Sequence, residues 1–272
     1  MELQKTNTKI KYLRKLTRRQ FRQKEKKFII EGIRFVEELF QGEWQTEALF
    51  YTTKLTSNPR GQQLLHQAAA GKIPCWLVSE QIMAELADTE TPQGVLALVN
   101  MPNNSLEYLL NSEGNPLLVV VDGVQDPGNL GTIVRTADAM AATGVVLLKG
   151  TVDVYNAKTL RSTMGSIFHL PIVTVEELDD LLDILAAKNI KLVVGEPRQG
   201  VSIQNLDLTQ PVALVVGSEA NGPSRRLVNQ AEFKATIPMP GQAESLNAGV
   251  ACSIMLYEAV RQRHCAKVNK YL

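Results

Sequence analysis

Apolar positions at helical and strand spacings divide the chain into two stretches of alternating elements. Up to about Val99, the apolar residues recur at helical spacing from about Glu31, and two further helices are predicted over Pro59–Ala70 and 80–87. Three short apolar runs in the same stretch predict strands, at 48–51, 75–78 and 94–99. This first stretch is therefore predicted to form a small α/β unit of its own.

Beyond Pro116 the strands change character. Four continuous apolar runs, each too short for a buried helix, alternate with helical segments, and a further strand is predicted to end at Ile237. Such runs are typical of parallel strands buried on both faces. The apolar runs are 117–121, 145–148, 192–194 and 212–216, and the predicted helices lie near 130–142, 156–164, 176–187, 223–230 and 246–264. Residues 101–116, rich in Asn, Pro, Ser and Gly, predict a domain boundary.

Composition narrows the class of protein. A chain of 272 residues fits two domains at roughly 100–200 residues each, and its 44% hydrophobic content excludes a disordered or fibrous protein. No apolar run approaches the ~18–20 residues of a membrane span, and no apolar stretch follows the basic N-terminus as in a secretory signal. The three Cys and three His residues are scattered, which argues against a disulfide framework or a metal site. We therefore expect a cytoplasmic protein that binds no metal.

The charge distribution indicates a polyanionic partner. Residues 1–34 hold twelve Lys and Arg against three Glu, although the whole chain has a net charge of only +1. A basic block on an otherwise acidic protein attracts nucleic acid, because each neutralised phosphate releases counterions. The alternative is a solvated helix face or a solubilising tail. Tyr12 and Phe21 lie among the charges and could either stack on bases or anchor the segment to its own domain.

Three loops at the predicted strand ends carry unusual chemistry, and ligands of open α/β sheets bind at such ends. In the first, a turn at 126–129 precedes a helix that should begin near Leu130, with Asn129 placed to cap it. Arg135 follows within an otherwise apolar and small-residue helix, where it should pair with an acid or face a phosphate. Neither a Walker A sequence nor a GxGxxG fingerprint is present, which disfavours a nucleotide-cofactor dehydrogenase.

The other two loops follow the strands that end near 216 and 237. In the second, Gly217 would let a ligand approach the backbone, and Glu219 is the carboxylate at this strand end. In the third, which follows Ile237, Ser245 is predicted to cap the last helix and Asn247 to lie in its first turn, where free backbone N–H groups gather. Small residues follow in that helix and should permit close helix packing.

Together the three loops resemble, in order and wording, the motifs of the SpoU (TrmH-like) branch of the SPOUT RNA methyltransferases. The first motif matches at Asn129, Gly131 and 135–137, the second at Gly217, Glu219 and Gly222, and the third at 237–239, 245–247 and Ala251. The segment 26–40 more loosely resembles an L30e-like substrate-binding domain. The predicted organisation is thus an L30e-like RNA-binding domain with its basic segment over 1–102, a linker over 103–115 and a SPOUT methyltransferase domain over 116–272.

The resemblance implies a C-terminal α/β domain with a parallel sheet and a deep trefoil knot, acting as a homodimer. It implies S-adenosylmethionine as cofactor and a 2′-O-methylated ribose in RNA as product. Residues for both roles follow by motif position: Gly217, Ile237 and Leu246 would hold the cofactor, and the catalytic centre would comprise Asn129, Arg135, Glu219, Ser245 and Asn247.

The residue types suit this chemistry, because ribose methylation needs chiefly positioning and charge stabilisation. Large-subunit ribosomal RNA is favoured as substrate because the N-terminal domain resembles ribosomal-protein-like modules. The alternatives are a tRNA 2′-O-methyltransferase and a catalytically silent RNA-binding protein. The intact motif residues argue against the latter.

Overall fold

The computed structural model describes residues 2–111 and 114–268, whose contacts divide the chain into two compact units. The first unit contains the chain up to Asn103 together with Tyr155–Phe168. The second contains Asn104–Val154 and the chain from His169 onward. The predicted linker includes residues 112 and 113, which lie outside the described part of the chain.

The first unit is built on a five-stranded mixed sheet. In chain order its elements up to Asn103 are β1 (Glu2–Leu3), α1 (Thr8–Leu16), α2 (Arg19–Glu25), β2 (Lys27–Glu31), α3 (Ile33–Gln41), β3 (Thr46–Tyr51), α4 (Thr53–Thr56), α5 (Pro59–Ala70), β4 (Cys75–Val78), α6 (Glu80–Leu86) and β5 (Val95–Asn100). The strand order is β1-β4-β3-β5-β2, with β5 antiparallel to both of its neighbours. The predicted helices and strands of this stretch are all present, within two residues of their expected bounds.

The basic N-terminal segment is part of this fold and not a tail. Asn7 caps α1 by accepting a hydrogen bond from the Lys9 amide, and α1 buries one apolar face. That face consists of Ile10, Leu13 and Leu16. Four elements of this unit were not predicted from the sequence: α1, α2 and the edge strands β1 and β2. Their charged residues mask a narrow apolar stripe.

Tyr12 and Phe21 anchor the segment to its own domain, one of the two alternatives open from sequence. Their rings meet edge to face with centroids 5.5 Å apart, and the Tyr12 hydroxyl donates a 3.0 Å hydrogen bond to Glu25 Oε2. Burial, followed by this interaction with Glu25, raises the pKa of Tyr12 to about 12.

The second unit is built on a seven-stranded, fully parallel sheet with helices on both faces. The elements after β5 are α7 (Leu106–Leu109), β6 (Leu117–Asp122), α8 (Pro127–Ala139), β7 (Gly144–Leu148), α9 (Ala157–Thr163), β8 (Ile172–Val175), α10 (Leu178–Ala187), β9 (Lys191–Gly195), β10 (Val201–Ser202), β11 (Val212–Gly217), α11 (Arg225–Gln230), β12 (Phe233–Thr236) and α12 (Ala248–Val268). Of these, α9 belongs to the first unit. The strand order is β10-β12-β9-β11-β6-β7-β8.

Alternate residues of the central strands face opposite layers of helices. In β6, Leu118 and Val120 pack in one cluster with residues of α7, α10 and α11, while Val119 and Val121 are also fully buried. This is the double burial that the continuous apolar runs predict, so the predicted parallel sheet is confirmed. Sequence analysis missed β8 and β10, two short strands at the sheet edges.

Candidate active site

The carboxyl ends of four neighbouring strands, β12, β9, β11 and β6, lie at one edge of the parallel sheet. The last residues of β11 and β6, Gly217 and Asp122, are paired in register. Asp122 Oδ2 accepts a 2.6 Å hydrogen bond from the Ser224 amide and thereby ties the loop after β11 to the end of β6. Asp122 was not recognised as a site residue from the sequence, although it directly follows the apolar run 117–121.

The loop after β6 leads into α8, which begins earlier than expected. Asp126, not Asn129, is the N-cap, and its carboxylate accepts a 2.8 Å hydrogen bond from the Asn129 amide. Pro127 supplies the first helical position, where a missing N–H costs nothing, so the predicted start at Leu130 was wrong. Because Asp126 takes over the capping, the Asn129 side chain is available for contacts with other loops.

Asn129, Glu219 and Asn247, one from each predicted motif, form a hydrogen-bonded chain. Asn247 Nδ2 donates to Asn129 Oδ1 at 2.8 Å, and Asn129 Nδ2 donates to Glu219 Oε1. The three motifs, as far as 118 residues apart in sequence, therefore meet at one place.

Asn247 is also the N-cap of α12, the function that sequence analysis gave to Ser245. Its Oδ1 accepts hydrogen bonds from the amides of Gly249 at 3.0 Å and Val250 at 3.2 Å. The helix begins at Ala248, two residues after the expected start near 246, and the predicted capping by Ser245 was wrong. An Asn oxygen one residue before the helix reaches these amides directly, whereas Ser245 lies three residues before it.

Arg135 does not join this chain of hydrogen bonds. It lies six residues after Asn129 on α8, roughly 9 Å along the helix, and its side chain is exposed. Across residues 2–111 and 114–268, no hydrogen bond or ion pair of Arg135 is found. The sequence left two alternatives for Arg135, and the one in which it pairs with an acid is not observed among these residues. The guanidinium is therefore available to an anionic ligand.

An open pocket of about 720 Å³ adjoins the chain of hydrogen bonds. Gly217, Ile237 and Leu246, the three residues predicted to hold the cofactor, line it together with Glu219 and Ser245. Sequence analysis missed part of the wall, although a Gly-Glu-Pro sequence directly after buried β9 was an available signal. The missed residues include Gly195, Glu196, Pro197 and Met255.

Gly217 is also constrained by its own loop. A Cβ built on it would lie 2.0 Å from the Pro223 nitrogen and 2.1 Å from the Gly222 carbonyl carbon. The tight return of the loop therefore requires glycine here, and the approach of a ligand to its backbone stays a prediction. The loop closes with a 2.8 Å hydrogen bond from the Gly222 amide to the Ser218 carbonyl oxygen.

Substituting Gly217 with Ala should consequently open this loop and lower affinity for the ligand of the pocket by about tenfold or more, because a backbone clash near 2 Å cannot relax locally. Gly241→Ala is the matched control, since its Cβ would have no atom within 4 Å. Calorimetric titration with S-adenosylmethionine measures both variants. Equal affinities in the two would show that the loop geometry does not matter for binding.

The pocket suits an adenosyl sulfonium ligand. Its apolar wall, which includes Val216, Ile237 and Leu246, can cover a flat purine ring, and Glu196 and Glu219 supply carboxylates for ribose hydroxyls and positive charge. Within the described residues, no group of three or more His, Cys, Asp or Glu side chains could hold a metal ion. The same residues contain no helix with the length and apolarity needed to cross a bilayer.

Three polar loops surround a pocket at the carboxyl edge of the parallel sheet, which is where open α/β folds bind their ligands. Residues 116–257 match the SpoU rRNA Methylase family, and residues 7–97 match the MRM3-like substrate binding domain. The chain therefore belongs to the SpoU rRNA methylase family.

Relatives match along nearly the whole chain. The 23S rRNA (guanosine(2553)-2′-O)-methyltransferase RlmP of Bacillus subtilis is 34% identical over 92% of this chain and 95% of its own. The 23S rRNA (uridine(2479)-2′-O)-methyltransferase of Streptomyces viridochromogenes is 33% identical over 87% of this chain and 83% of its own. The crystal structure of the SpoU methyltransferase AviRb from the same organism, in complex with the cofactor AdoMet, superposes with a TM-score of 0.86 at 30% identity, covering 95% of this chain and 98% of that one.

Four predictions from the sequence are thereby confirmed: the family, the α/β fold with its parallel-sheet SPOUT domain, the S-adenosylmethionine cofactor, and RNA 2′-O-ribose methylation as the activity. The trefoil knot stays a prediction.

Proposed function

We propose that this enzyme methylates the 2′-hydroxyl of one nucleotide in large-subunit ribosomal RNA. The observation that carries the proposal is the chain of hydrogen bonds that joins Asn247, Asn129 and Glu219 beside the pocket. The names of the relatives RlmP and the S. viridochromogenes enzyme support ribosomal RNA over tRNA. Those two enzymes act on a guanosine and a uridine, so the family resemblance alone does not select the base.

The cofactor, when bound, supplies a sulfonium methyl carbon that is already an activated electrophile, so the proposed reaction needs no metal. The residues of the chain must then position a weak nucleophile, the ribose hydroxyl, and stabilise the charge that develops on it. Arg135 anchors an RNA phosphate and the developing alkoxide. A guanidinium stays protonated in proteins and is a poor proton acceptor, so the hydroxyl proton leaves to the solvent that reaches this exposed site.

The polar chain provides the remaining positioning. Asn129 and Asn247 orient the ribose or Arg135, and Ser245 donates a hydrogen bond from the pocket wall. Glu219 accepts from Asn129 and holds the loop after β11 in its geometry. Gly217, Ile237 and Leu246 form the cofactor pocket, to which we add Glu196 as a carboxylate at its wall.

The N-terminal and C-terminal parts of the chain have different functions. Residues 116–272 carry out catalysis, and residues 1–102 bind the RNA, with residues 103–115 between them. The support for RNA binding is a set of nine basic side chains in the first 34 residues that are exposed within their own unit. They are Lys5, Lys9, Lys11, Lys15, Arg18, Arg19, Lys24, Lys26 and Arg34. Cytoplasmic localisation follows from the substrate.

The active form is a homodimer that pairs through α12, on a different face from the one that carries its small residues. Those residues face the enzyme's own α8: Gly249 lies against Thr132, and Ser253 Oγ is 2.9 Å from Thr136 Oγ1. A neighbouring face of α12 exposes Val250, Ile254 and Tyr257 at helical spacing, with 45%, 37% and 59% of their surfaces accessible. An exposed apolar stripe of this kind is typical of a self-complementary two-fold interface.

Ile254→Asp should therefore give a monomer, because it buries a charge at the centre of the stripe. Val201→Asp is the control, since Val201 is also exposed and apolar but lies on β10, outside the stripe. Sedimentation at micromolar concentration measures both masses. A wild-type monomer with full activity would disprove the dimer proposal.

The proposed function is tested by mapping ribose methylation in RNA from cells with and without the gene, followed by methyl transfer in vitro to the unmodified RNA. We expect one 2′-O-methyl group in 23S ribosomal RNA to disappear and the purified enzyme to restore it. Loss of a methyl group from tRNA alone would assign the enzyme to the alternative substrate.

A further inference from the structure

A second concave surface, in the first unit, has the chemistry of a nucleobase site. This α1 groove, of about 1020 Å³, lies between α1 and the sheet. Its walls and rim are formed by Lys9, Tyr12, Glu25, Lys27, Glu47 and Trp76, and buried Phe50 and Leu98 belong to its floor. All of these residues belong to the same compact unit, and none takes part in the candidate active site.

Trp76 holds an aromatic ring at a fixed position in the groove, with the Lys9 ammonium over it. It lies on β4, paired in register with Phe50 of β3, and β4 itself is flanked by β1 on its other side. The Trp76 side chain is half-buried, and among the described residues its indole N–H donates no hydrogen bond. A rigid, half-exposed ring with a spare donor is suited to stacking and to one polar contact.

Cations lie over the aromatic rings of the groove. Lys9 Nζ is 4.8 Å from the centroid of the Trp76 ring, and Lys27 Nζ is 5.8 Å from that of Tyr12. Lys27 is also 2.5 Å from Glu47 Oε2, whereas no ion pair of Lys9 is found among the described residues. Lys9 is thus the cation of the groove that can form an ion pair with a phosphate of the ligand.

The carboxylates of the rim add hydrogen-bond acceptors. Glu25 already accepts from the Tyr12 hydroxyl, and Glu47 pairs with Lys27, so both are held in place. A carboxylate accepts well from the amino and imino groups on the edge of a nucleobase. The groove combines aromatic rings, fixed carboxylates and an ammonium group that has no ion pair among the described residues, and this combination suits one nucleotide better than an apolar peptide. The exposed cations of the first 34 residues favour a polyanion as well.

We propose that the α1 groove binds an unpaired nucleotide of the RNA substrate, with its base stacked on Trp76 in place of the Lys9 ammonium and its phosphate on Lys9, which turns away from the ring. The inference rests on the proposed RNA substrate and adds the part of the RNA that the first unit recognises. A paired base cannot offer its face, so the target is a loop, a bulge or a single strand. The basic surface supplies attraction without selectivity, and the groove supplies the preference for unpaired bases.

The test compares two ligands of equal charge on the full-length protein: decauridylate, and the same phosphodiester without bases. Trp76→Leu should weaken binding of decauridylate by about tenfold, the usual effect of removing one stacking platform, and leave binding of the abasic ligand unchanged. Trp76→Phe keeps an aromatic face and should stay within about threefold of wild type. Thermal melting of each variant reports whether the first unit remains folded.

A matched pair of lysines separates the groove from the general charge of α1. Lys9→Ala and Lys11→Ala each remove one exposed cation from α1, but only Lys9 lines the groove. Because the abasic ligand has no base to hold it in the groove, Lys9→Ala should weaken binding of decauridylate more than binding of the abasic ligand. Lys11→Ala should weaken both ligands equally and lower the salt slope by about 0.7.

The proposal is overturned if Trp76→Leu binds both ligands as wild type does, or if Lys9→Ala and Lys11→Ala behave alike. Either result would leave the groove to another occupant, such as a peptide. Methyl transfer to ribosomal RNA is measured on the same preparations, so failure of the groove and failure of the proposed function are distinguishable.

Discussion

Arg135→Ala should lower the rate of methyl transfer by about 100-fold or more, while RNA affinity stays within about threefold of wild type. Removing one preorganised group that stabilises developing charge typically costs this much. RNA binding, in contrast, is spread over many exposed cations of the first 34 residues, so one arginine contributes little. No hydrogen bond or ion pair of the exposed Arg135 side chain is found across the described parts of the chain, so stability should change little.

Single-turnover methyl transfer and filter binding separate the two effects. Arg135→Lys keeps the charge but loses the planar pair of donors, and we expect it to recover only part of the rate. Lys188→Ala removes an exposed cation that precedes β9, at the opposite end of the sheet, and should leave the rate unchanged. If Arg135→Ala loses RNA affinity and rate in the same proportion, the residue is a binding contact only.

The elements that could be predicted from the sequence are those in which one local pattern decides the structure. The bounds of α5 and β4 agree with the prediction because a first-turn proline and a short apolar run leave little choice. The central strands of the parallel sheet were recognisable because burial on both faces leaves no polar position. The small strand β8 exposes Thr174 and pairs on one side only, so its pattern is weaker.

Motif order predicted that Asn129, Glu219 and Asn247 come together, but it did not predict their geometry, because no local signal shows which side chain reaches across to another loop. Asp126 and Asn129 are both good N-cap residues, and Pro127 at the first helical position was the local signal for Asp126. The contact of Asn129 with Glu219 is tertiary and left no such signal. Glu196 was missed because it belongs to no motif and joins the pocket only through the position of β9 in the sheet.

The double role of Asn247 leads to the second large effect. Its oxygen caps α12, and its amide donates to Asn129, so an aspartate can replace the first function but not the second. Asp is as good an N-cap as Asn, but its carboxylate cannot donate to Asn129 Oδ1. If the Asn129 amide rotates to donate to the new carboxylate, its oxygen then faces the Glu219 carboxylate. In both orientations of the amide, two hydrogen-bond acceptors therefore face each other.

Asn247→Asp should therefore lower the rate of methyl transfer by about 100-fold and leave the free energy of unfolding within about 0.5 kcal/mol of wild type. Asn247→Ala should lower both, with a loss of about 1 kcal/mol in stability because the cap is gone. Asn58→Asp is the matched control: Asn58 caps α5 in the same way, by accepting from the Arg60 amide, and contacts no residue of the site. Urea unfolding and single-turnover kinetics measure all three variants. If Asn247→Asp turns over at the wild-type rate, Asn247 acts only as a helix cap, and the hydrogen bond that it donates to Asn129 is not required for catalysis.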